Sequence, residues 1–372
     1  MPAAAAPASR PCGWHPVDTP NPIMQGDNSL LAVDIVSWDD AWAVGSIFDG
    51  EHQPLAQHWD GRKWSVVPTP TPPESSGAAF LLDVDISGTS DGWAVGSYTT
   101  FDGTAVTTHG LVERWNGVDW TIQEFPDPLN MNVDLASVVA LSPEDVWAAG
   151  ASFDPSYETG RPFTAHFDGA SWSVITVLDR AGWISDVTAV AGDDVWAVGA
   201  AGQNSSNSMP LVLHWDGSEW AMQRTPDVSE PALLSGITAV DGDDIWAAGW
   251  SEADAGRLAE PLVEHWDGRK WRVSETPHPS AYGVLSGISA ASATDVWAVG
   301  FFIKDQREQV LVEHWDGQEW SVARADEPES AINAGLQDVS TLPDGRSWAV
   351  GLSYKPNGMR RTLAMRKDCP GL

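Results

Sequence analysis

Cysteine is nearly missing from this chain, with 2 in 372 residues, and tyrosine is almost as scarce at 4. Two cysteines allow one internal disulfide and no more. Lys and Arg together number 20 against 52 Asp and Glu, a formal net charge of −32. So few cations exclude the basic footprint that nucleic acid and anionic membrane surfaces require. No apolar run approaches the roughly twenty residues of a membrane-crossing helix, and no sustained helical period is present. Residues 1–11 are rich in Ala and Pro and too weakly apolar for a signal-peptide core. They read as a disordered tail, or as the remnant of a signal peptide replaced by an initiating Met.

Against these shortages stand 22 Trp, 34 Gly and 26 Pro. The phrase Trp-Ala-Val/Ala-Gly starts at Trp42, Trp93, Trp147, Trp196, Trp246, Trp297 and Trp348, at intervals of 49 to 54 residues. A second phrase, His-Trp-Asp-Gly, begins at His58, His214, His265 and His314, with altered copies at Arg114 and His166. A third Trp follows five residues after the aromatic of that phrase, at Trp64, Trp120, Trp172, Trp220, Trp271 and Trp320. Repeat-fixed Trp are expected in the core. Asp40, Asp91, Asp145, Asp194, Asp244 and Asp295 each precede the first repeat Trp by two residues, where Asp can bond its own backbone in a hairpin turn.

A period near fifty without helical patterning points to small sheets repeated radially. Residues 285–323 show the unit: Leu285 to Ala290 as inner strand, Val296 to Ile303 as second, a polar loop from Lys304 to Glu308, Gln309 to Trp315 as third, and Glu319 to Ala323 as outer strand. Single units cannot bury their faces alone and must close as one ring. The expectation is one all-β domain over 12–372, a seven-bladed β-propeller with four antiparallel strands per blade. The unit resembles the kelch repeat and the blade of the galactose oxidase propeller in its period, in the glycine closing its second strand and in its outer-strand Trp. It departs from kelch in having one Gly where that family usually has two, so the resemblance implies a fold and not kelch partners.

The last unit lacks an outer strand, while the chain begins with an orphan one: Trp14 to Pro20 matches Trp64 to Pro70. The N-terminal strand therefore completes the last blade. Superposed repeats place Cys12 and Cys369 at the cut ends of one hairpin, which predicts a Cys12–Cys369 disulfide. A disulfide implies an oxidising compartment, hence an extracellular or cell-surface protein.

Connections between second and third strands, and between blades, vary in length and lie on one face, where binding sites are usually built. Trp183, Trp250, Tyr282, Phe301 and Tyr157, with Arg161, Lys304 and Arg307, are expected there and suit glycan or protein ligands through stacking and charged hydrogen bonds. On the inner strands stand Asp34, Asp83, Asp85, Asp186 and Asp338, eight or ten residues before the repeat Trp. Such a cluster could hold Ca²⁺, which needs several oxygens, or could bond backbone of the next blade. No other cofactor is expected. Gly88-Thr89-Ser90-Asp91-Gly92 matches a nucleophile elbow, but that motif needs a strand-to-helix turn and this is a blade hairpin. His52, His109 and His278 lie outside the repeat without a partner pattern. Copper-radical chemistry needs a Cys-crosslinked Tyr, and both Cys belong to the seam. The reading is a monomeric, secreted, non-enzymatic scaffold for glycans or protein surfaces. The alternatives are a hydrolase or lyase at the channel mouth, with an acid such as Asp83 or Asp186, and a structural repeat without a small ligand.

Overall fold

A computed structural model describes residues 13–126, 131–154, 160–177, 180–252 and 258–369. The Ala/Pro-rich tail, Cys12 and Tyr157 lie outside the described residues. The chain forms seven four-stranded antiparallel sheets arranged as a propeller. Blades 1 to 6 are residues 27–67, 79–122, 132–176, 182–222, 232–274 and 283–322. Each is a meander whose first strand packs against the first strands of its neighbours around the axis. Blade 7 joins 333–367 to the N-terminal strand Trp14–Val17, with Trp14 facing Lys367 and Val17 facing Ala364. The closure read from the sequence is therefore present, and it covers a strand edge that would invite intermolecular pairing.

Every inner strand carries a β-bulge at one repeat position, between Leu30 and Ala32 in blade 1 and between Leu336 and Asp338 in blade 7. The extra residue flips the alternation. Leu30 and Val33, three apart, both face the inter-blade core, as do Leu135 and Val138. The bulge also explains the repeat glycine. A Cβ on Gly45 would collide with the carbonyl oxygen of Ser29, and Gly96, Gly150, Gly199, Gly249, Gly300 and Gly351 meet the same obstacle.

The tryptophans hold blade to blade. Trp42 lies 4.7 Å from Trp115 and 5.4 Å, edge-on, from Trp120 of blade 2. The same arrangement joins Trp147 to Trp215 and Trp220, Trp246 to Trp315 and Trp320, and Trp348 to Trp59 and Trp64. Each such pair adds about 0.5–1.5 kcal/mol beyond its burial. At the seam Trp14 takes one place, 5.5 Å from Trp297, and the Lys367 ammonium takes the other, 4.7 Å from that ring. The ammonium donates to the Gly345 carbonyl at 2.6 Å, much as the Trp59 indole donates to Trp38 in blade 1.

The Asp before each repeat Trp has a different partner from the one expected. Asp40 Oδ1 pairs with His58 Nε2 at 2.8 Å, and that imidazole lies against Trp42. Asp145–His166, Asp194–His214, Asp244–His265 and Asp295–His314 repeat the pair at 2.7–2.8 Å. Turn capping falls instead to the Asp of the second phrase: Asp60 Oδ1 accepts from the N–H groups of Arg62 and Lys63, beside Gly61 at φ 84°. The polar loop expected over 304–308 is also tighter than read. Strands run to Lys304 and from Arg307, leaving a two-residue turn with Asp305 at φ 51° and Gln306 at φ 61°. That is the geometry which matches strand twist in short hairpins.

Candidate binding face and channel

The inner-strand carboxylates act as clasps between blades. Asp34 Oδ2 accepts from Ile86 N, Asp83 from Val138 N, Asp85 from Ala140 N, Asp186 from Ile237 N and Asp338 from Val33 N, all at 2.7–2.9 Å. The inner strands splay and cannot pair as a sheet, so these N–H groups would otherwise lack partners. Ser137 and Thr238 perform the same task at other junctions. Asp83, Asp186 and Asp338 use their second oxygen for the N–H of the following residue.

Burial pushes these carboxyls up, and mutual repulsion adds to it. Asp83 is raised to about 7 by burial and then by Asp186, and Asp186 to about 6 by burial. Asp338 and Asp85 stand well above the ordinary carboxylate range, from burial first and then from Asp83 and Asp34 respectively. Among the described residues, no three His, Cys, Asp or Glu side chains converge as a metal cage. The geometry thus uses Asp34, Asp83, Asp85, Asp186 and Asp338 for blade-to-blade bonding, and the Ca²⁺ expectation finds no assembled site. An acid at the channel mouth would need an oxygen open to substrate, and those of Asp83 and Asp186 already accept backbone hydrogen bonds.

The expected ligand residues are spread over several blades. Arg161 is exposed in blade 3, Trp183 half-buried at the start of blade 4 and Trp250 half-buried in blade 5. Phe301, Lys304 and Arg307 belong to blade 6, and Tyr282 lies in the connection just before it, its ring 5.9 Å from that of Phe301. Phe301 also packs toward blade 7, its Cβ 3.3 Å from the point where a Gly335 side chain would begin. The register equates 301 and 335 with 97 and 134, and the Ser97 hydroxyl bonds the Asp134 carboxyl. Position 301 is thus an inter-blade contact, and position 250 is its equivalent in blade 5.

Two clefts open elsewhere on the face of variable connections. One, of about 300 Å³, lies in blade 2. Its walls include Tyr98 and His109, stacked at 5.1 Å, together with Phe125, Glu74, Gln123 and Glu124. The Tyr98 hydroxyl donates to Glu74 Oε1 at 3.1 Å, and His109 Nε2 bonds Thr100 Oγ1 at 2.9 Å. The second cleft, of about 730 Å³, lies at the seam between the N-terminal strand and blade 7, beside Asp326, Glu327, Lys355, Arg361 and Thr362. Its cations are engaged: Lys355 donates to the Glu329 carbonyl, and Arg361 to those of Met24 and Gly26.

Both clefts occupy one repeat position. At the start of the third strand, opposite the residue four past the repeat Trp, blades 1, 3, 4 and 5 carry Pro54, Pro162, Pro210 and Pro261. Blade 2 has Gly110 there, blade 6 has Val310 and blade 7 has Thr362. A Cβ on Gly110 would stand 3.1 Å from both Leu135 Cδ1 and Phe125 Cδ1, so even a small side chain would crowd the cleft floor. Sequence reasoning missed this site because His109 lies outside the repeat without a partner pattern. The signal was the lone Gly in a register that otherwise favours Pro.

No family model and no curated protein matches this chain. Solved structures share its architecture. YCF48 from Cyanidioschyzon merolae is 15% identical with a TM-score of 0.56, covering 95% of this chain and 98% of that one. A protein from Dyadobacter fermentans is 12% identical with a TM-score of 0.57, covering 96% and 98%. An ulvan lyase is 9% identical with a TM-score of 0.56, covering 88% and 91%. At such identities the likeness is one of fold, and the resemblance to kelch and galactose oxidase blades likewise holds at the level of the propeller.

Proposed function

We propose that this propeller is an extracellular, non-enzymatic binding scaffold that recognises glycan or protein ligands through the face of its variable connections. The observation that carries the reading is where the repeat breaks. Repeat Trp, His and Asp bond one another, and the channel Asp bond the next blade. Clefts open on the variable face in two of the three blades that lack the repeat proline. Propellers of this fold take ligands of both kinds: one YCF48 structure holds a bound peptide, and one ulvan lyase structure a bound GlcA–Rha3S saccharide. An extracellular setting follows from the proposed Cys12–Cys369 bond.

The test is a paired screen of the full chain on glycan and peptide arrays, with incubation on polysaccharides followed for reducing ends and for unsaturated sugars. Saturable, specific binding without product release is the expected result. Product release would replace this reading with the hydrolase or lyase alternative. Silence of folded protein throughout would leave a purely structural repeat.

A further inference from the structure

Resting on the binding-scaffold reading, the geometry points to the blade 2 cleft as a site for an uncharged saccharide. Three features select that ligand class. The stacked Tyr98 and His109 rings and Phe125 give the cleft an aromatic lining, and aromatic surface suits the C–H face of a sugar ring. Glu74, Gln123 and Glu124 place hydrogen-bonding oxygens beside those rings, able to accept from several hydroxyls. The described lining contains no Lys or Arg, while it holds two carboxylates on a protein of net charge −32. A uronate or sulfated sugar would enter a negative field without a counter-charge. The volume of about 300 Å³ stands at the small end of ligand pockets, fitting a chain terminus and not a long segment.

The repeat itself supplies the variant that closes the cleft. Gly110→Pro gives blade 2 the residue that blades 1, 3, 4 and 5 carry in this register, so the backbone accepts proline there while the ring would fill the floor. Tyr98→Ala removes the stacking wall without touching the floor.

The experiment prints neutral gluco-, manno-, galacto- and fuco-configured oligosaccharides beside uronic-acid-bearing and sulfated ones. It compares wild type, Gly110→Pro, Tyr98→Ala and the remote exposed control Val322→Ala. Wild type and control are expected to bind a neutral set, with at least tenfold weaker binding by both cleft variants and no acidic glycan preferred. Neutral binding that survives both cleft substitutions would place the site elsewhere and overturn this proposal while leaving the scaffold reading intact. Preference for acidic glycans, or for peptides alone, would overturn it as well. If Gly110→Pro fails to fold, Tyr98→Ala decides by itself. Absence of any ligand on either array would remove both readings together.

Discussion

At the residue scale, three buried glutamates stand out because they have no charged partner among the described residues. Glu113, Glu264 and Glu313 are 0% exposed, and none of their carboxyl oxygens has a conventional hydrogen-bond partner. Burial alone pushes each up to about 8. All three precede the second repeat phrase, where blade 1 carries Gln57, whose Nε2 donates to the Pro20 carbonyl at 2.9 Å. Pro70, Pro226 and Pro277 are the matching linker residues for the glutamates. A protonated carboxyl can donate there as the amide does; an ionised one cannot. The sign follows: the folded state holds protons that the unfolded chain releases near 4.5, so stability falls as pH rises from there to about 8 and levels off above. Glu264→Gln is therefore expected to raise the melting temperature at pH 8–9 and change it little at pH 5, as thermal scans across that range would report. A variant destabilised equally at both pH values would mean that Glu264 is not carried as the neutral acid.

At the element scale, the inner strand is where pattern reading met its limit. Alternation correctly placed residues eight and ten before the repeat Trp on one side, and the channel carboxylates lie there. The bulge one position earlier left no mark in the hydrophobic pattern except the unvarying glycine across from it. What those carboxylates bond depends on how neighbouring blades splay, which no single strand encodes. Asp83→Ala leaves Val138 N–H without its acceptor and should cost about 1–3 kcal/mol, read as a lower denaturant midpoint at unchanged slope. Asp83→Asn keeps an acceptor and removes a charge that opposes Asp186 and Asp338. It should be milder than Ala and should gain on wild type above pH 7. If Asn and Ala prove equally damaging at alkaline pH, repulsion in the channel adds nothing to the burial that raises those acids.

At the scale of the whole molecule, stability rests on closure. The strand Trp14–Val17 seals blade 7, Trp14 fills the Trp297 cluster, and His15 pairs with Asp326 at 2.7 Å. Removal of residues 1–22 should yield protein that aggregates or melts far below the full chain, measured by light scattering and calorimetry. A monodisperse truncation of unchanged melting temperature would refute the role given to this strand. The proposed Cys12–Cys369 link would lock the same junction, with a chain-entropy contribution up to about 5 kcal/mol for so long a loop. Non-reducing peptide mapping should recover the two cysteines in one fragment, and Cys369→Ser should lower the melting temperature.

The sequence by itself determined the number of blades, the strand order, the shared last sheet and the tryptophan core, because each is written once per repeat and must fit its neighbours in the same way. Tertiary structure alone decided that the Asp–His–Trp groups face one another, that the channel acids clasp adjacent strands, and that Gly110 opens a cleft. The Asp–His pairs join strands 18 to 21 residues apart within a blade, and the carboxylate clasps away from the seam join blades 51 to 55 residues apart, where distance along the chain says nothing about which atoms touch.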